Sequence, residues 1–208
     1  MSMDESTARA FCAARVDGAA MDRLDRLARL LEEENARQNL VSGASLAHVW
    51  ERHFADSVQL LDHVPRETPP WLDLGSGAGF PGLPVAIARP AMEVVLIESR
   101  RKRVEWLERV IADLELTHCR VVGARLEQVP SLPAGTICAR AFAPLDKLLR
   151  LSARFSTPAT TWLLPKGRSA AKELAAESES IRAMFHVEQS ATDPEAGILV
   201  GTGVPHIS

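Results

Sequence analysis

The residues best suited to do chemistry lie in one glycine-rich segment, residues 73–84, with the sequence DLGSGAGFPGLP. Apolar residues precede Asp73, and a second apolar run begins at Val85. This pattern is typical of a strand, a tight turn and a helix N-terminus. Glycine is required where the backbone adopts a positive φ or approaches a ligand closely. The N–H groups at a helix start attract polar or anionic groups. We therefore expect the turn to bind an adenosine-containing cofactor.

The glycine spacing allows two registers, which predict different cofactors. Residues 77–82 match G-x-G-x-x-G, the fingerprint of dinucleotide-binding proteins. That register leaves Gly75 unused, although it already lies in the turn. The register Asp73-x-Gly75-x-Gly77-x-Gly79 instead resembles the first motif of class I S-adenosylmethionine-dependent methyltransferases. This resemblance implies that S-adenosyl-L-methionine is the cofactor, with the turn under its methionine end and the acid nearby.

Length and composition indicate a soluble globular protein. The chain has 208 residues, of which 46% are hydrophobic and 25% charged, and its net charge is −3. The first twenty residues lack the apolar segment of a signal peptide, and no apolar run approaches the length of a membrane span. We therefore expect a cytoplasmic protein with no membrane contact. The three cysteines lack a C-x-x-C pair and the histidines lack ligand spacing, so we expect no metal.

Strand and helix patterns alternate from Trp71 onward. The predicted strands are residues 71–74, 93–98, 119–122, 136–140 and 161–164, followed by a hairpin of 185–188 and 198–200. The predicted helices are residues 84–88, 101–114, 145–155 and 170–184. Such alternation favours an α/β fold with a mostly parallel sheet and helices on both faces. With the resemblance of the glycine turn, it implies a Rossmann-like fold of the class I methyltransferase type with seven strands. Residues 1–65 predict a helical extension packed on this core, and residues 66–208 the methyltransferase domain, with a linker at 65–70.

Polar residues or glycine lie at or just after the C-terminal ends of five predicted strands, where parallel sheets bind ligands. These residues are Asp73, Glu98, Gly123, Arg140 and Lys166. Glu98 lies 23 residues after Gly75, and an acid there commonly accepts hydrogen bonds from ribose hydroxyls. We expect Arg140 to bind a carboxylate or phosphate bidentately, and Lys166 and Arg168 to bind phosphate. Residues 140–172 hold seven basic side chains and one acid, which allows a local polyanion contact.

Five short motifs occur in an order that resembles one methyltransferase family. They are RHxxDS at residues 52–57, the glycine turn, KRVxWL at 102–107, RAFA at 140–143 and KG at 166–167. Together they resemble the bacterial RsmG (GidB) family, which methylates N7 of a guanine, expected to be guanine 527 in the 530 loop, in 16S ribosomal RNA of the small subunit. The resemblance implies cofactor contacts at Gly75, Phe80, Leu126, Glu127 and Arg140. With RNA as the substrate, the phosphate contacts that we expect of Arg140, Lys166 and Arg168 from their positions become RNA contacts, and we expect a monomer.

Two rival functions and one local question remain open at this point. A dinucleotide-dependent oxidoreductase needs a substrate domain, for which 208 residues leave little room. A non-catalytic RNA-binding assembly factor would not need the intact turn and Glu98. N7 of guanine carries no proton, so we expect no general base and catalysis by positioning through Arg140 and Lys166. His53 and Asp56 share a helix face; we favour a polar pair that joins the N-terminal helices to the core over a role in the cleft.

Overall fold

The computed structural model describes residues 3–64 and 70–207. Its single seven-stranded sheet has the order β3-β2-β1-β4-β5-β7-β6. The strands are β1 (Trp71–Leu74), β2 (Val94–Glu98), β3 (Cys119–Gly123), β4 (Thr136–Cys138), β5 (Thr161–Gly167), β6 (Phe185–Gln189) and β7 (Gly197–Thr202). Strands β1 to β5 pair in parallel, and β7 is antiparallel to both neighbours. The mostly parallel sheet and the terminal hairpin are therefore confirmed.

Helices cover both faces of the sheet. They are α1 (Glu5–Ala13), α2 (Gly18–Asn35), α3 (Gly43–Leu46), α4 (Asp56–Val58), α5 (Gly82–Ala88), α6 (Arg101–Asp113), α7 (Leu145–Ser152), α8 (Ala170–Ala175) and α9 (Glu179–Met184). A π-helix, Trp50–Ala55, runs into α4. The single predicted helix over residues 170–184 is wrong, because Ser178 accepts a hydrogen bond from the Ile181 N–H and starts a new helix. No helix of the described residues is both long and apolar enough to cross a membrane.

Two apolar layers form because alternate residues of a strand face opposite sides of the sheet. Trp71 packs in the layer that also contains Leu24 and Leu27 of α2. Leu72 and Leu74 pack in the opposite layer. The helical N-terminal segment thus shares a core with the sheet. The predicted domain boundary and most of the predicted linker lie outside the described residues, so the division into two domains stays a prediction.

Two strand ends differ from the prediction, and both differences affect the rim of the sheet. Strand β4 ends at Cys138, so Arg140 lies in the following loop. Strand β5 runs to Gly167, because its last residues pair with β7 across an irregular register. Lys166 therefore lies inside a strand rather than beyond it, and its position is fixed by the sheet.

Candidate functional site

The glycine turn closes over the C-terminal end of β1. Gly75, Gly77 and Gly79 all adopt positive φ, at 70°, 60° and 103°. Glycine adopts this conformation without the steric penalty that a Cβ atom brings. The turn is also held from the neighbouring strand, since the Gly77 N–H donates to Glu98 Oε2 at 2.9 Å. The predicted turn therefore has the backbone that its sequence demands.

Glu98 is the residue that fixes the turn to β2. Its side chain is buried, and Oε1 accepts hydrogen bonds from the backbone N–H groups of Ser99 and Arg100 at 2.7 and 2.8 Å. Together with the Gly77 N–H, three backbone donors converge on this carboxylate. A carboxylate offers about four lone-pair sites, so one acceptor site is left for a ligand hydroxyl. The predicted ribose contact fits this geometry and stays a prediction.

Asp73 lies beneath the turn and is fully buried. Its Oδ2 accepts a hydrogen bond from the Gly82 N–H at 3.1 Å, which ties β1 to the start of α5. Burial raises the pKa of the Asp73 carboxyl group to about 6. Oδ1 has no hydrogen-bond partner among the described residues. An acceptor therefore remains beneath the turn, which fits a cofactor that carries an amino group.

The loop after β4 reaches back over the turn, which the sequence did not indicate. A Cβ atom built on Gly75 would overlap Cδ2 of Phe142, so the aromatic ring lies directly against this glycine. Ala141 adopts a φ of 52°, which is strained for a residue with a side chain. The RAFA motif was the available signal, but its aromatic residue was not predicted to belong to the site.

Arg140 joins the N-terminal helices to the rim. Its Nη1 donates to Asp56 Oδ2 at 3.3 Å and to the Arg52 carbonyl oxygen at 3.0 Å. Its Nη2 lies 3.1 Å from His53 Nδ1. Arg140 thus has a carboxylate partner within the protein, which one guanidinium nitrogen contacts rather than two, and its cofactor and RNA contacts stay predictions. The polar pair of His53 and Asp56 does connect the N-terminal helices to the core, and Arg140 and Asp56 also line a cavity.

His53 should destabilise the fold as the pH falls. Burial, with Arg140 and Arg52 nearby, lowers the pKa of His53 to about 3. Its folded pKa lies below the ordinary value of 6.5, so the unfolded chain binds the proton more readily. The contribution of neutral His53 to the free energy of unfolding is fully present above pH 6.5. It is lost as the pH falls towards 3, by about 1.4 kcal/mol for each pH unit. Asp73, whose pKa is raised from 3.8 to about 6, has the opposite effect on stability between these two values. The free energy of unfolding of the wild type relative to that of His53→Gln, measured with urea at pH 7, 6 and 5, should therefore fall with the pH; parallel profiles would contradict it.

A cavity of about 1030 Å³ opens beside the turn, between the ends of β4 and β5 and the β6–β7 hairpin. Its volume is in the range of ligand-binding clefts. Phe142 forms part of the wall, so the cavity and the glycine turn share this side chain. Arg168 also lines the cavity; its side chain is 74% exposed and pairs with Glu195. The cavity is the candidate substrate site.

Lys166 differs from the expected free cation. Its side chain is only 8% exposed, and Nζ lies 2.9 Å from Glu173 Oε2. The same Nζ donates to the carbonyl oxygen of Ala143 at 2.9 Å. The structure therefore gives Lys166 two protein partners, and a direct phosphate contact stays a prediction that its geometry does not favour.

The three other residues with predicted cofactor contacts differ from one another in side-chain exposure. The ring of Phe80 is buried and stacks on His53, with 4.5 Å between the ring centroids. Leu126 packs in the apolar layer, and its carbonyl oxygen accepts a hydrogen bond from Arg154. Glu127 is exposed beside it. The exposed edge of the Leu126–Gln128 turn is thus open to a cofactor, whereas the Phe80 contact stays a prediction, since this residue is buried and its N–H donates to the Ser76 carbonyl oxygen.

One group of residues in the described chain has the spacing of a possible metal site. Glu5, His48 and Glu51 bring their ligand atoms within 4.8 Å of one another. Glu5 already accepts hydrogen bonds from the N–H groups of Trp50 and Glu51, at 3.1 and 2.7 Å. This role as a helix cap accounts for the position of Glu5. The absence of a metal remains a prediction.

Comparisons with known proteins decide the family. Residues 20–196 match the family model described as "GidB: rRNA small subunit methyltransferase G". The chain belongs to this family. The ribosomal RNA small subunit methyltransferase G of Erythrobacter litoralis is 62% identical over 203 residues, covering 98% of each chain. The protein of the same name from Novosphingobium aromaticivorans is 55% identical, covering 93% of this chain and 87% of the relative.

A solved structure supports the fold. A putative O-methyltransferase from Klebsiella pneumoniae superposes with a TM-score of 0.59 at 13% identity, covering 88% of this chain and 90% of that one. With the observed strand order, this confirms the Rossmann-like class I methyltransferase fold. The predicted membership of the RsmG (GidB) family is likewise confirmed.

Proposed function

We propose that the protein transfers a methyl group from S-adenosyl-L-methionine to N7 of a guanine in 16S ribosomal RNA of the small subunit. Family membership over residues 20–196 carries this conclusion, because it makes the protein a methyltransferase of small-subunit ribosomal RNA. The specific position, guanine 527, is our expectation from the family. We further expect the protein to act in the cytoplasm as a monomer without a metal.

The glycine turn and its two acids suit the cofactor. When bound, S-adenosyl-L-methionine supplies an electrophilic methyl group on a positively charged sulfur. We propose that Glu98 accepts a hydrogen bond from a ribose hydroxyl at its remaining acceptor site, and that Asp73 Oδ1 accepts one from the amino group. Gly75, Gly77 and Gly79 allow close approach of the backbone. The edge formed by Leu126 and Glu127 would border the adenine.

The chemistry needs positioning rather than proton transfer. N7 of guanine has a lone pair and no proton, so a general base has nothing to remove. The purine becomes positively charged as the methyl group arrives, and an unpaired cation nearby would oppose the reaction. Arg140 is paired with Asp56, and Lys166 with Glu173. These pairs neutralise Arg140 and Lys166, two of the cations that line the cavity, which supports catalysis by near-attack geometry.

Arg168 is the best-placed residue for an RNA phosphate. It stands at the mouth of the cavity and is largely exposed, so its guanidinium group can exchange Glu195 for a phosphate. Exposed ion pairs of this kind contribute little to stability, and the exchange therefore costs little. Arg140 and Lys166, which we also expected to contact RNA, are engaged by acids and backbone carbonyl groups.

Methyl transfer to isolated small subunits tests the proposal. With tritiated S-adenosyl-L-methionine and subunits from a strain that lacks the modification, we expect label in 16S RNA at one guanine, located by chemical cleavage at N7-methylguanine. Label at another atom or in another RNA would contradict the proposal. An absence of label would favour the assembly factor, and tight binding of NAD without a response to S-adenosylhomocysteine would favour an oxidoreductase.

A further inference from the structure

Lys166 is the only lysine of β5 and its ammonium group is held by the protein itself. Nζ lies 2.9 Å from Glu173 Oε2 and donates to the Ala143 carbonyl oxygen at 2.9 Å. Glu173 is in turn fixed by Ser169, whose Oγ donates to Oε1 at 2.6 Å. A buried charge is tolerated where it is paired and hydrogen-bonded. The pair therefore links β5, the start of α8 and the loop after β4.

The carbonyl group that accepts the hydrogen bond from Lys166 belongs to the loop between the glycine turn and the cavity. Ala143 directly follows Phe142, whose ring lies against Gly75 of the turn and also forms part of the cavity wall. Ala141, one residue earlier, has the strained φ of 52°. A strained loop keeps its conformation only where its surroundings hold it. The hydrogen bond from Lys166 is a tertiary contact that does so.

We propose that Lys166 and Glu173 are positioning residues, which hold the loop of residues 140–144 so that Phe142 sets the border between the methyl donor and the guanine. This inference rests on the proposed function, because it assigns the two sides of Phe142 to the cofactor and to the RNA base. Neither residue of the pair contacts an RNA phosphate. The pair affects the rate of methyl transfer because it holds the loop in place, and the loop fixes the position of Phe142.

If Lys166 instead contacts an RNA phosphate, a substitution of its partner Glu173 should have a different effect on RNA binding. If Nζ bound phosphate, removal of the Glu173 charge would free the ammonium group and tighten RNA binding. If the pair positions the loop, Lys166→Met removes the donor to the Ala143 carbonyl group, and Glu173→Gln removes the charge that holds this donor in place, so both changes slow the same step. Variants at the two positions therefore distinguish the two roles.

The test measures kcat, KM for small subunits and the cofactor affinity of Lys166→Met and Glu173→Gln. We expect both variants to lower kcat by about 10- to 100-fold, the effect of a misplaced reacting group. KM, the affinity for S-adenosylhomocysteine and the salt dependence of RNA binding should stay within twofold of the wild type. Lys166→Arg, which keeps the charge and N–H donors, should recover part of kcat. Each variant is assayed at a temperature at which its circular dichroism shows the folded state.

Two further variants serve as controls, and each outcome decides the inference. Arg168→Met should reduce the slope of log K against log salt by roughly one, as loss of a phosphate contact does. Glu179→Gln, an exposed acid on α9, should change nothing. A smaller salt slope for Lys166→Met, or tighter RNA binding by Glu173→Gln, would overturn the inference, as would a parallel loss of cofactor affinity and kcat. If Lys166→Met does not fold, Glu173→Gln decides alone; an inactive wild type refutes the proposed function instead.

Discussion

Replacing Gly77 by valine should abolish cofactor binding, with at least a 100-fold loss of affinity for S-adenosylhomocysteine and no detectable methyl transfer. Gly77 has a φ of 60°, where a β-branched residue is strongly disfavoured. A Cβ atom at this position would also lie 3.0 Å from Nη1 of Arg103. The turn would have to change its backbone, and the Gly77 N–H would leave Glu98. A 100-fold loss corresponds to about 2.7 kcal/mol, which the strain and the lost hydrogen bond together account for.

Gly167→Val is the matched control for this prediction. Gly167 has a φ of 59°, and a Cβ atom built there has nothing of the described chain within 4 Å. Both variants therefore introduce the same backbone strain, but only one introduces it into the turn. Isothermal titration calorimetry with S-adenosylhomocysteine should show wild-type affinity for Gly167→Val and no binding for Gly77→Val. Comparable affinities in the two variants would remove the turn from the cofactor site.

The sequence was sufficient to predict the sheet because its signals are local. Strand β1 is a mostly apolar segment that ends before Gly75, and its observed bounds are the predicted ones. The break between α8 and α9 was missed, because a single serine cap within a helical pattern is a weak signal. The ends of β4 and β5 were also missed. The length of β5 depends on its pairing with β7, which lies about thirty residues later in the chain.

The acids of the site were predictable, whereas the partners of its cations were not. Asp73 and Glu98 lie where parallel strands end, and this rule needs only the strand positions. The basic residues of 140–172 looked free in the sequence, but Arg140 pairs with Asp56, which lies 84 residues earlier. Phe142 reaches Gly75 only because β1 and β4 are neighbours in the sheet. Such contacts follow from the packed fold and have no local signature.

Replacing Glu98 by alanine should weaken cofactor binding by about 100-fold and lower the free energy of unfolding by about 2–4 kcal/mol. Three backbone N–H groups lose a charged acceptor, and that of Gly77 is left buried without a partner. Glu98→Gln should lower cofactor affinity and stability nearly as much. Both carboxylate oxygens accept hydrogen bonds from backbone N–H groups, and the amide replaces one of these oxygens with an NH2 group that can only donate. The two losses have one cause, since the carboxylate that holds the turn is also the one that we propose binds the ribose.

A control from the same stretch of chain separates this effect from loss of a negative charge. Glu93 precedes β2 at its opposite end, is exposed, and lies 3.5 Å from Arg120. Glu93→Ala removes the same charge but no acceptor of the turn, so its cofactor affinity and its urea midpoint should match the wild type. If Glu98→Ala bound S-adenosylhomocysteine as tightly as Glu93→Ala does, the turn would not depend on this carboxylate. Glu98 is buried and accepts three backbone N–H groups of the turn and the following loop, whereas Glu93 is exposed and accepts none of them with its side chain, so the comparison measures what these contacts contribute beyond the negative charge.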